Sequence, residues 1–521
     1  MVIDSCMSEA VRAAYGRGQD EERMEPLVRV AGDGHAVGRI EPGDSVIFYD
    51  LRGEREVELT AALVDPTFAP FPVERLDLRF VTMIEYDAKL PVRVGFPPLE
   101  HLRGTLAEVV SRSGLGQSRV AESEKAIHVS YFFAGKRQEA FPRERRIVLD
   151  SPAEPLVSPA MRAAEVADAV EAELADPAQA LIVANLANID VVGHSECRDA
   201  IEQAVMAVDT AVGRMVRAAR RCGVAAVVTA DHGTVERWLF PEGTVDTGHT
   251  DSPVPCLVVP PPGAVSCRLR DGGSLSDVAP TILDLLGLDK PAEMTGRSLL
   301  ACGSLPRCGR VLLVICDGWG VAAPGPGNLI AATPTPAMDE LQGAFPHTLL
   351  AAAGEAVGLP PGTVGNSEAG HLHLGAGRVV PADRVRIAEA IEDGSFFTNE
   401  AFRWAAEAAR DTRRPLHLLG IVSFFSSHGS LDHLFALLEL ARRVGVPEVF
   451  VHGLLGRRGE RPQSGADYVA LVEKRVAELG LGRLVSVIGR YWALDREQHW
   501  DRVRRAYDLL VHGIGRPVGA A

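Results

Sequence analysis

Ala225-Ala226-Val227-Val228-Thr229-Ala230-Asp231-His232-Gly233 reads as a short apolar strand that stops at a carboxylate and an imidazole. An uncharged run of small and β-branched residues suits a strand covered on both faces, as in a parallel sheet. Ala180-Leu181-Ile182-Val183-Ala184 repeats the pattern and runs into Asn185-Leu186-Ala187-Asn188-Ile189-Asp190-Val191-Val192-Gly193-His194. Val311-Leu312-Leu313-Val314-Ile315-Cys316 does so again and ends in Asp317-Gly318-Trp319-Gly320. The apolar spacing over Arg198 to Ala219 and Ser276 to Leu286 predicts helices. Strands alternating with helices predict an α/β fold with helices on both sheet faces.

In open α/β sheets ligands bind at the carboxyl ends of strands. Asp190 with His194, Asp231 with His232, and Asp317 all stand at such ends, and His249 follows in the loop Thr247 to Pro255. Each has an ordinary alternative, since a lone strand-end Asp caps a turn and a lone His sits on a surface. Together they suit a two-metal site, and mixed imidazole and carboxylate donors favour manganese or zinc over calcium. The turn Gly365-Asn366-Ser367-Glu368-Ala369-Gly370-His371 offers one serine with glycine on either side. Such a serine is ordinarily only part of a turn. It becomes a nucleophile when a base or metal activates it, and two metal sets would do so.

A chain of 521 residues is too long for one ordinary core, so two domains are expected. The net charge of −15 argues against a nucleic-acid or anionic-membrane partner but leaves room for a small anionic substrate held by local arginines. Lysine occurs only at 89, 125, 136, 290 and 474, so a lysine inside a motif is conspicuous. Eight scattered cysteines without a CxxC pair, no signal-peptide pattern at Met1-Val2-Ile3-Asp4 and no apolar run of membrane length give a cytoplasmic expectation. The expected state is a monomer.

Outward from the central strands, Met7 to Tyr15, Glu56 to Val64 and Leu99 to Ser113 are expected as helices. The strand in Asp44 to Leu51 is expected to end in a loop carrying Arg52 and Arg55, and Arg79 to Met83 reads as a strand. Ser123-Glu124-Lys125 precedes an apolar run, Ala126 to Phe133, expected as a strand. Residues 301–310, with two glycines and a proline, read as a linker. Further strands are expected at Leu416 to Val422, Glu448 to His452 and Leu484 to Ile488.

Val314 to Gly320, Gly365 to His371, Thr229 to Gly233 and Ile488-Gly489-Arg490-Tyr491 resemble motifs of the cofactor-independent phosphoglycerate mutases of the alkaline phosphatase superfamily. Their order is rotated: the segments that close the family's chain come first here, which resembles a circular permutation through 301–310. The resemblance implies an alkaline-phosphatase-like metal-binding domain over 97–382. It implies a second α/β substrate-binding transferase domain split between 383–521 and 1–96. It assigns Ser367 as the phosphoserine nucleophile. Asp317, Asp231, His232 and Ser367 would hold one divalent ion, and Asp190, His194 and His249 the other; manganese is the usual metal. Lys125 would touch the phosphoryl group beside Glu124. Arg52, Arg55, Arg490, Arg496, His428 and Arg458 would bind the substrate, since arginine forks suit phosphate and carboxylate. The implied reaction interconverts 3- and 2-phosphoglycerate in glycolysis without 2,3-bisphosphoglycerate.

The sequence departs from that pattern at Ser423-Phe424-Phe425-Ser426-Ser427-His428, where the family has Ser-Asp-Gly-Gly-Val-His. It departs again at Gly456-Arg457-Arg458-Gly459, where the family has Asp-Gly-Arg-Asp. The acceptor-handling side is therefore altered while the nucleophile and ligands persist. This keeps two alternatives open: the same phosphoserine chemistry on another phosphorylated or phosphono hydroxy acid, and a metal-dependent phosphatase. A non-catalytic binding protein fits least, because it has no use for so many ligand-type residues.

Overall fold

A computed structural model describes residues 6–99, 101–264, 268–301, 308–424, 426, 428–456 and 463–519. The chain divides into two compact units, Leu99–Val385 and a second built from Met1–Pro98 with Arg386–Ala521. Each holds one eight-stranded sheet among the described residues.

In the continuous unit the strand order is 273–274, 347–351, 254–259, 225–229, 311–316, 179–186, 116–122, 144–149. Val311–Cys316 pairs in parallel with Gln179–Leu186 on one side and Ala225–Thr229 on the other. Every residue of these three strands is buried. That double-sided cover is why 180–184, 225–228 and 311–316 read as unbroken apolar runs. Val254–Val259 runs antiparallel to both its neighbours, so the sheet is mixed. The helix Arg198–Arg221 buries Ile201, Val205, Val208, Val212 and Met215, the three-to-four spacing of a single helical face. Each such aliphatic side chain taken from water contributes about 1.5–3 kcal/mol. Strand 311–316 enters between strands that precede 301–310 in the chain. Of that expected linker, 302–307 lies outside the described residues.

In the split unit the order is 516–518, 27–29, 483–489, 449–455, 416–421, 45–48, 79–84, 93–96. Leu416–Ile421 lies between Val449–Leu455 and Ser45–Phe48, parallel to both. Leu27–Arg29 is antiparallel to Arg483–Gly489, the one exception to parallel pairing among the described strands of this sheet. The two chain segments thus share one sheet, and residues from both fill its cores, as Met83, Ile47, Leu418 and Val451 do on one face.

Three local expectations change. The helix expected from Leu99 begins at Leu106. Gly104 takes a left-handed φ of 68° and Thr105 caps the helix by accepting from the Glu108 amide, so the chain before it cannot continue the helix. The run Ala126 to Phe133 is not a strand; Ser123–Lys125 and His128–Phe132 are short helical turns. The strand is Gly116–Glu122, just before. Its buried Gln117, Ser118 and Arg119 disguise it: Arg119 Nη2 donates to Gln117 Oε1 at 2.6 Å, and its guanidinium lies over Phe133. Finally, the helix after Ser45–Phe48 starts at Gly53, so Arg55 is helical and not in a loop.

Candidate functional site

In the unit Leu99–Val385, the carboxyl ends of four neighbouring parallel strands converge. Lys125 follows strand 116–122, Asp190 follows 179–186, Asp317 follows 311–316, and Asp231 with His232 follows 225–229. Helix Ser367–Ala376 points its first turn at the same place, with Asn366 as N-cap accepting from the Ala369 amide at 2.9 Å. Ser367 is the first helical residue, so its hydroxyl lies at the positive end of the helix dipole, where anions are favoured.

Lys125 Nζ donates to Ser367 Oγ at 2.7 Å, Asp317 Oδ1 at 2.8 Å and Asp190 Oδ2 at 2.6 Å. Ser367 Oγ is also 3.0 Å from His232 Nε2 and 3.3 Å from Asp317 Oδ1. His249 Nε2 is 3.0 Å from Asp190 Oδ1 and 3.2 Å from His194 Nε2, and His194 Nε2 is 3.3 Å from Asp190 Oδ1. The other ring nitrogens are anchored, His249 Nδ1 on the Gly365 carbonyl and His194 Nδ1 on the Thr247 carbonyl. Carbonyl partners fix those nitrogens as donors and turn the Nε2 atoms toward the site.

The motif glycines have a steric reason. A Cβ on Gly370 would lie 2.6 Å from the Asp231 carbonyl oxygen and 2.7 Å from Asp231 Cβ, and one on Gly365 would lie 2.9 Å from His232 Cβ. They admit the Asp231-His232 strand end against the serine turn.

Three carboxylates, Asp190, Asp231 and Asp317, are buried around the one ammonium of Lys125. Burial opposes the Lys125 charge, but Asp317 and Asp190 outweigh it and raise its pKa. Burial alone would raise Asp190; hydrogen bonds from His194 and His249 and the Lys125 charge hold it well below the usual carboxylate range. Asp317 is pushed up by burial and then by Asp231. Asp231 Oδ2 has no hydrogen-bond partner among the described residues, since His371 Nδ1, 3.3 Å away, is engaged by the Ser367 carbonyl at 2.8 Å. Excess buried negative charge and an orphaned carboxylate oxygen are what divalent cations relieve, so this donor set fits them. Two metal-ligand groupings occur here, Asp231-His232-Asp317 and Asp190-His232-His249, with His194 beside the second. A cavity of about 450 Å³ opens on Lys125, Asp190, His194, His249 and Ser367. Glu124 lies exposed at its edge.

Sequence reasoning assigned no role to Asn185 or His371. Asn185 Nδ2 donates to Asp317 Oδ2 at 2.8 Å and is 3.0 Å from His371 Nε2. The polar exit of strand 179–186 and the His of the serine motif were the available signals.

In the split unit, Arg52 Nε and Arg496 Nη1 share Glu54 Oε1 at 2.8 and 2.7 Å. Arg55 Nη1 donates to the Leu494 carbonyl at 3.2 Å, and Arg490 Nε to Glu22 Oε1 at 2.8 Å. Burial and then the charges of Arg496, Arg52 and Arg490 lower the Arg55 pKa, which marks a cluster with more positive charge than its acids balance. Arg55, Arg490, Arg496 and Arg502 line a cavity of about 230 Å³. His428 is buried with Nδ1 2.9 Å from Glu56 Oε1. Arg458, Phe425 and Gly459 lie outside the described residues. Phe424 packs inward against Phe435 and Tyr468, ring centroids 6.4 and 6.0 Å away.

Parts of the chain are similar to known proteins. The Metalloenzyme superfamily model matches residues 41–290. The model described as the BPG-independent PGAM N-terminus matches residues 387–520. The 2,3-bisphosphoglycerate-independent phosphoglycerate mutase of Gloeobacter violaceus is 43% identical over 302 residues, 56% of this chain and 55% of that protein. That of Thermomicrobium roseum is 44% identical over 308 residues, 57% and 58% respectively. Over these stretches the chain is similar to 2,3-bisphosphoglycerate-independent phosphoglycerate mutases. It spans a little over half the length of these curated relatives. A solved phosphoglycerate mutase of Leishmania mexicana, crystallised at low cobalt concentration, shares 27% identity over 52% of this chain and 53% of its own, with a TM-score of 0.39. Here the match to an N-terminal model falls in the C-terminal quarter of the chain. Among the described residues no helix is long and apolar enough to cross a membrane.

Proposed function

We propose that this chain is a metal-dependent phosphotransferase that interconverts 3-phosphoglycerate and 2-phosphoglycerate through a phosphoserine at Ser367. The observation that carries this reading is the setting of Ser367 Oγ. It lies at a helix N-terminus and within hydrogen-bond distance of Lys125 Nζ and His232 Nε2. Asp231, His232 and Asp317 would hold one divalent ion beside Ser367, and Asp190, His194 and His249 the other. When bound, such ions supply positive charge that favours the ionised serine and neutralises phosphoryl oxygens. Manganese is the metal we propose, and the same donors suit zinc.

The chain's own groups then do the following. Ser367 Oγ forms a bond to phosphorus as the bond from phosphorus to the donor oxygen breaks, and the serine proton leaves with the glycerate alkoxide. The second hydroxyl of glycerate reverses the exchange and regenerates the serine. Lys125 keeps an N–H on the reacting oxygen and stays as a cation beside the phosphoryl group. Arg52, Arg55, Arg490 and Arg496, with His428 and Arg458, would bind the substrate's anionic groups. Water must be kept from the phosphoserine, or the outcome is hydrolysis.

A circular permutation joined through 301–310 explains why an N-terminal family model falls at 387–520 and why a collinear match spans little over half of each relative. On this reading residues 97–382 are the metal-binding domain and 383–521 with 1–96 the substrate domain. We read the protein as a cytoplasmic glycolytic monomer with no nucleic-acid or membrane partner.

The inward packing of Phe424 favours a second reading. Where the family carries a carboxylate, this chain offers an aromatic ring packed on Phe435 and Tyr468 and no acceptor. The same phosphoserine chemistry could then serve a different phosphorylated or phosphono hydroxy acid. Phosphorus NMR of purified protein with manganese and 3-phosphoglycerate separates the readings. 2-Phosphoglycerate is the expected product; free phosphate marks a phosphatase, and an unchanged spectrum marks another substrate.

A further inference from the structure

Asp50, Glu56 and His428 meet inside the split unit, away from Ser367 in sequence and in a different sheet. Asp50 leaves the carboxyl end of strand Ser45–Phe48, and Glu56 lies in the first turn of helix Gly53–Val64. His428 follows the neighbouring parallel strand Leu416–Ile421. One ligand-type atom from each lies within 4.8 Å of the other two, and all three residues are fully or almost fully buried. His428 Nδ1 is 2.9 Å from Glu56 Oε1, and Asp50 Oδ1 accepts from the Ile421 amide at 2.8 Å.

The second oxygens, Asp50 Oδ2 and Glu56 Oε2, are buried without any hydrogen-bond partner among the described residues. Keeping two carboxylates ionised without water or a direct counter-charge costs several kcal/mol per ion, which is why burial pushes both groups well above the usual carboxylate range and why a bound cation would be strongly stabilised there. The nearby arginines do not provide that counter-charge directly. Arg52 and Arg496 pair with Glu54, Arg490 pairs with Glu22, and Arg55 donates to a carbonyl.

The arrangement repeats that of the serine site. There too, carboxylates and imidazoles leave the carboxyl ends of adjacent parallel strands and touch one another at 3.0–3.7 Å, with an orphaned carboxylate oxygen. Glycines flank Asp50 as they flank Asp231. A Cβ on Gly420 or Gly429 would lie 2.6 or 3.0 Å from Asp50 Oδ1.

We propose that Asp50, Glu56 and His428 form a third divalent-cation site, distinct from the two ligand sets around Ser367. Two carboxylate oxygens and one imidazole nitrogen suit Mn²⁺ or Zn²⁺. The ion would cancel the charge of the carboxylate pair and engage His428 through Nδ1. That leaves His428 Nε2, which has no hydrogen bond among the described residues, available to a ligand near the arginine cluster.

The test counts metal. Full-length protein stripped by chelator is reloaded with Mn²⁺, or in parallel Zn²⁺, desalted and analysed for metal per chain. In a variant with the serine-site carboxylates neutralised, Asp190→Asn with Asp231→Asn and Asp317→Asn, one equivalent should remain. Adding Asp50→Asn and Glu56→Gln should remove it. Separately, Asp50→Asn with Glu56→Gln in the parent should lower the count by one equivalent and shrink the thermal shift that metal confers. The proposal is overturned if the serine-site variant retains no metal with either ion. It is equally overturned if the Asp50/Glu56 variant keeps the parent's metal count, the result expected of a carboxyl pair that shares a proton. Neither result depends on which phosphorylated compound is the substrate.

Discussion

Gly370→Ala is the sharpest probe of the serine site, because it adds one methyl group where the strand end of Asp231 presses on the serine helix. The new Cβ would begin 2.6 Å from the Asp231 carbonyl oxygen and 2.7 Å from Asp231 Cβ. Neither atom belongs to a side-chain end that can swing aside, and Asp231 is wholly buried. Ordinary contact needs about 3.4 Å or more, so helix and strand end must part by roughly 0.8 Å. Overpacking of this kind costs about 1–3 kcal/mol, offset by about 1 kcal/mol from replacing glycine inside a helix. The fold should therefore lose no more than ~2 kcal/mol. Chemistry should suffer more, because the shift separates Ser367 from Asp231 and His232, and a misplacement near 1 Å costs on the order of 10²-fold in rate. Phosphoenzyme formation by rapid quench, set beside chemical denaturation of the same preparation, measures both quantities. Phosphoenzyme formation within twofold of the parent would refute the claim that this contact sets the serine's position.

Ser367→Ala should abolish phosphoenzyme while leaving metal bound through the remaining ligands; labelled phosphate trapped on another residue would sink the assignment. Exhaustive chelation should remove activity and Mn²⁺ should restore it; full turnover by protein verified metal-free would contradict the ligand sets around Asp190 and Asp231. His373 is pushed down to about 4 by burial, which outweighs the hydrogen bond its Nδ1 makes to the Ala369 carbonyl. Its folded pKa lies below its ordinary value of 6.5, so its neutral form stabilises the fold fully above 6.5. That contribution is lost as pH falls toward 4, in total about 3 kcal/mol. The midpoints of parent and His373→Gln should converge as pH drops from about 7 to about 5; parallel pH profiles would show that His373 does not carry the effect.

Much of the architecture was legible because double-sided burial leaves a plain mark on sequence. Strands 225–229 and 311–316 are apolar but for Thr229 and were read with their observed bounds, and helix Arg198–Arg221 kept its period to within a turn. Gly116–Glu122 was hidden because its buried Gln117, Ser118 and Arg119 find polar partners inside the protein, Arg119 on Gln117 Oε1, Ser118 on Gln179 and Gln117 on the Ala107 carbonyl, pairings no local pattern displays. Ala126 to Phe133 misled for the opposite reason. A short apolar run suits a buried strand or a buried helical turn equally, and packing decides between them.

For the site, residue types at strand ends were readable one by one: Asp190, Asp231 with His232, Asp317, and the serine between glycines. Their convergence was not, apart from the family resemblance, because Lys125 and Ser367 are 242 positions apart and meet only when strands 116–122, 179–186, 311–316 and 225–229 lie side by side. Sequence by itself determined the donors' chemistry, since side-chain type sets what can ligate or attack. Tertiary structure alone decided that Lys125 counters two carboxylates at once, that Gly370 is there to admit Asp231, and that Asp50, Glu56 and His428 share a dry interior. Burial and charge proximity arise between distant segments, and no local stretch of chain encodes them.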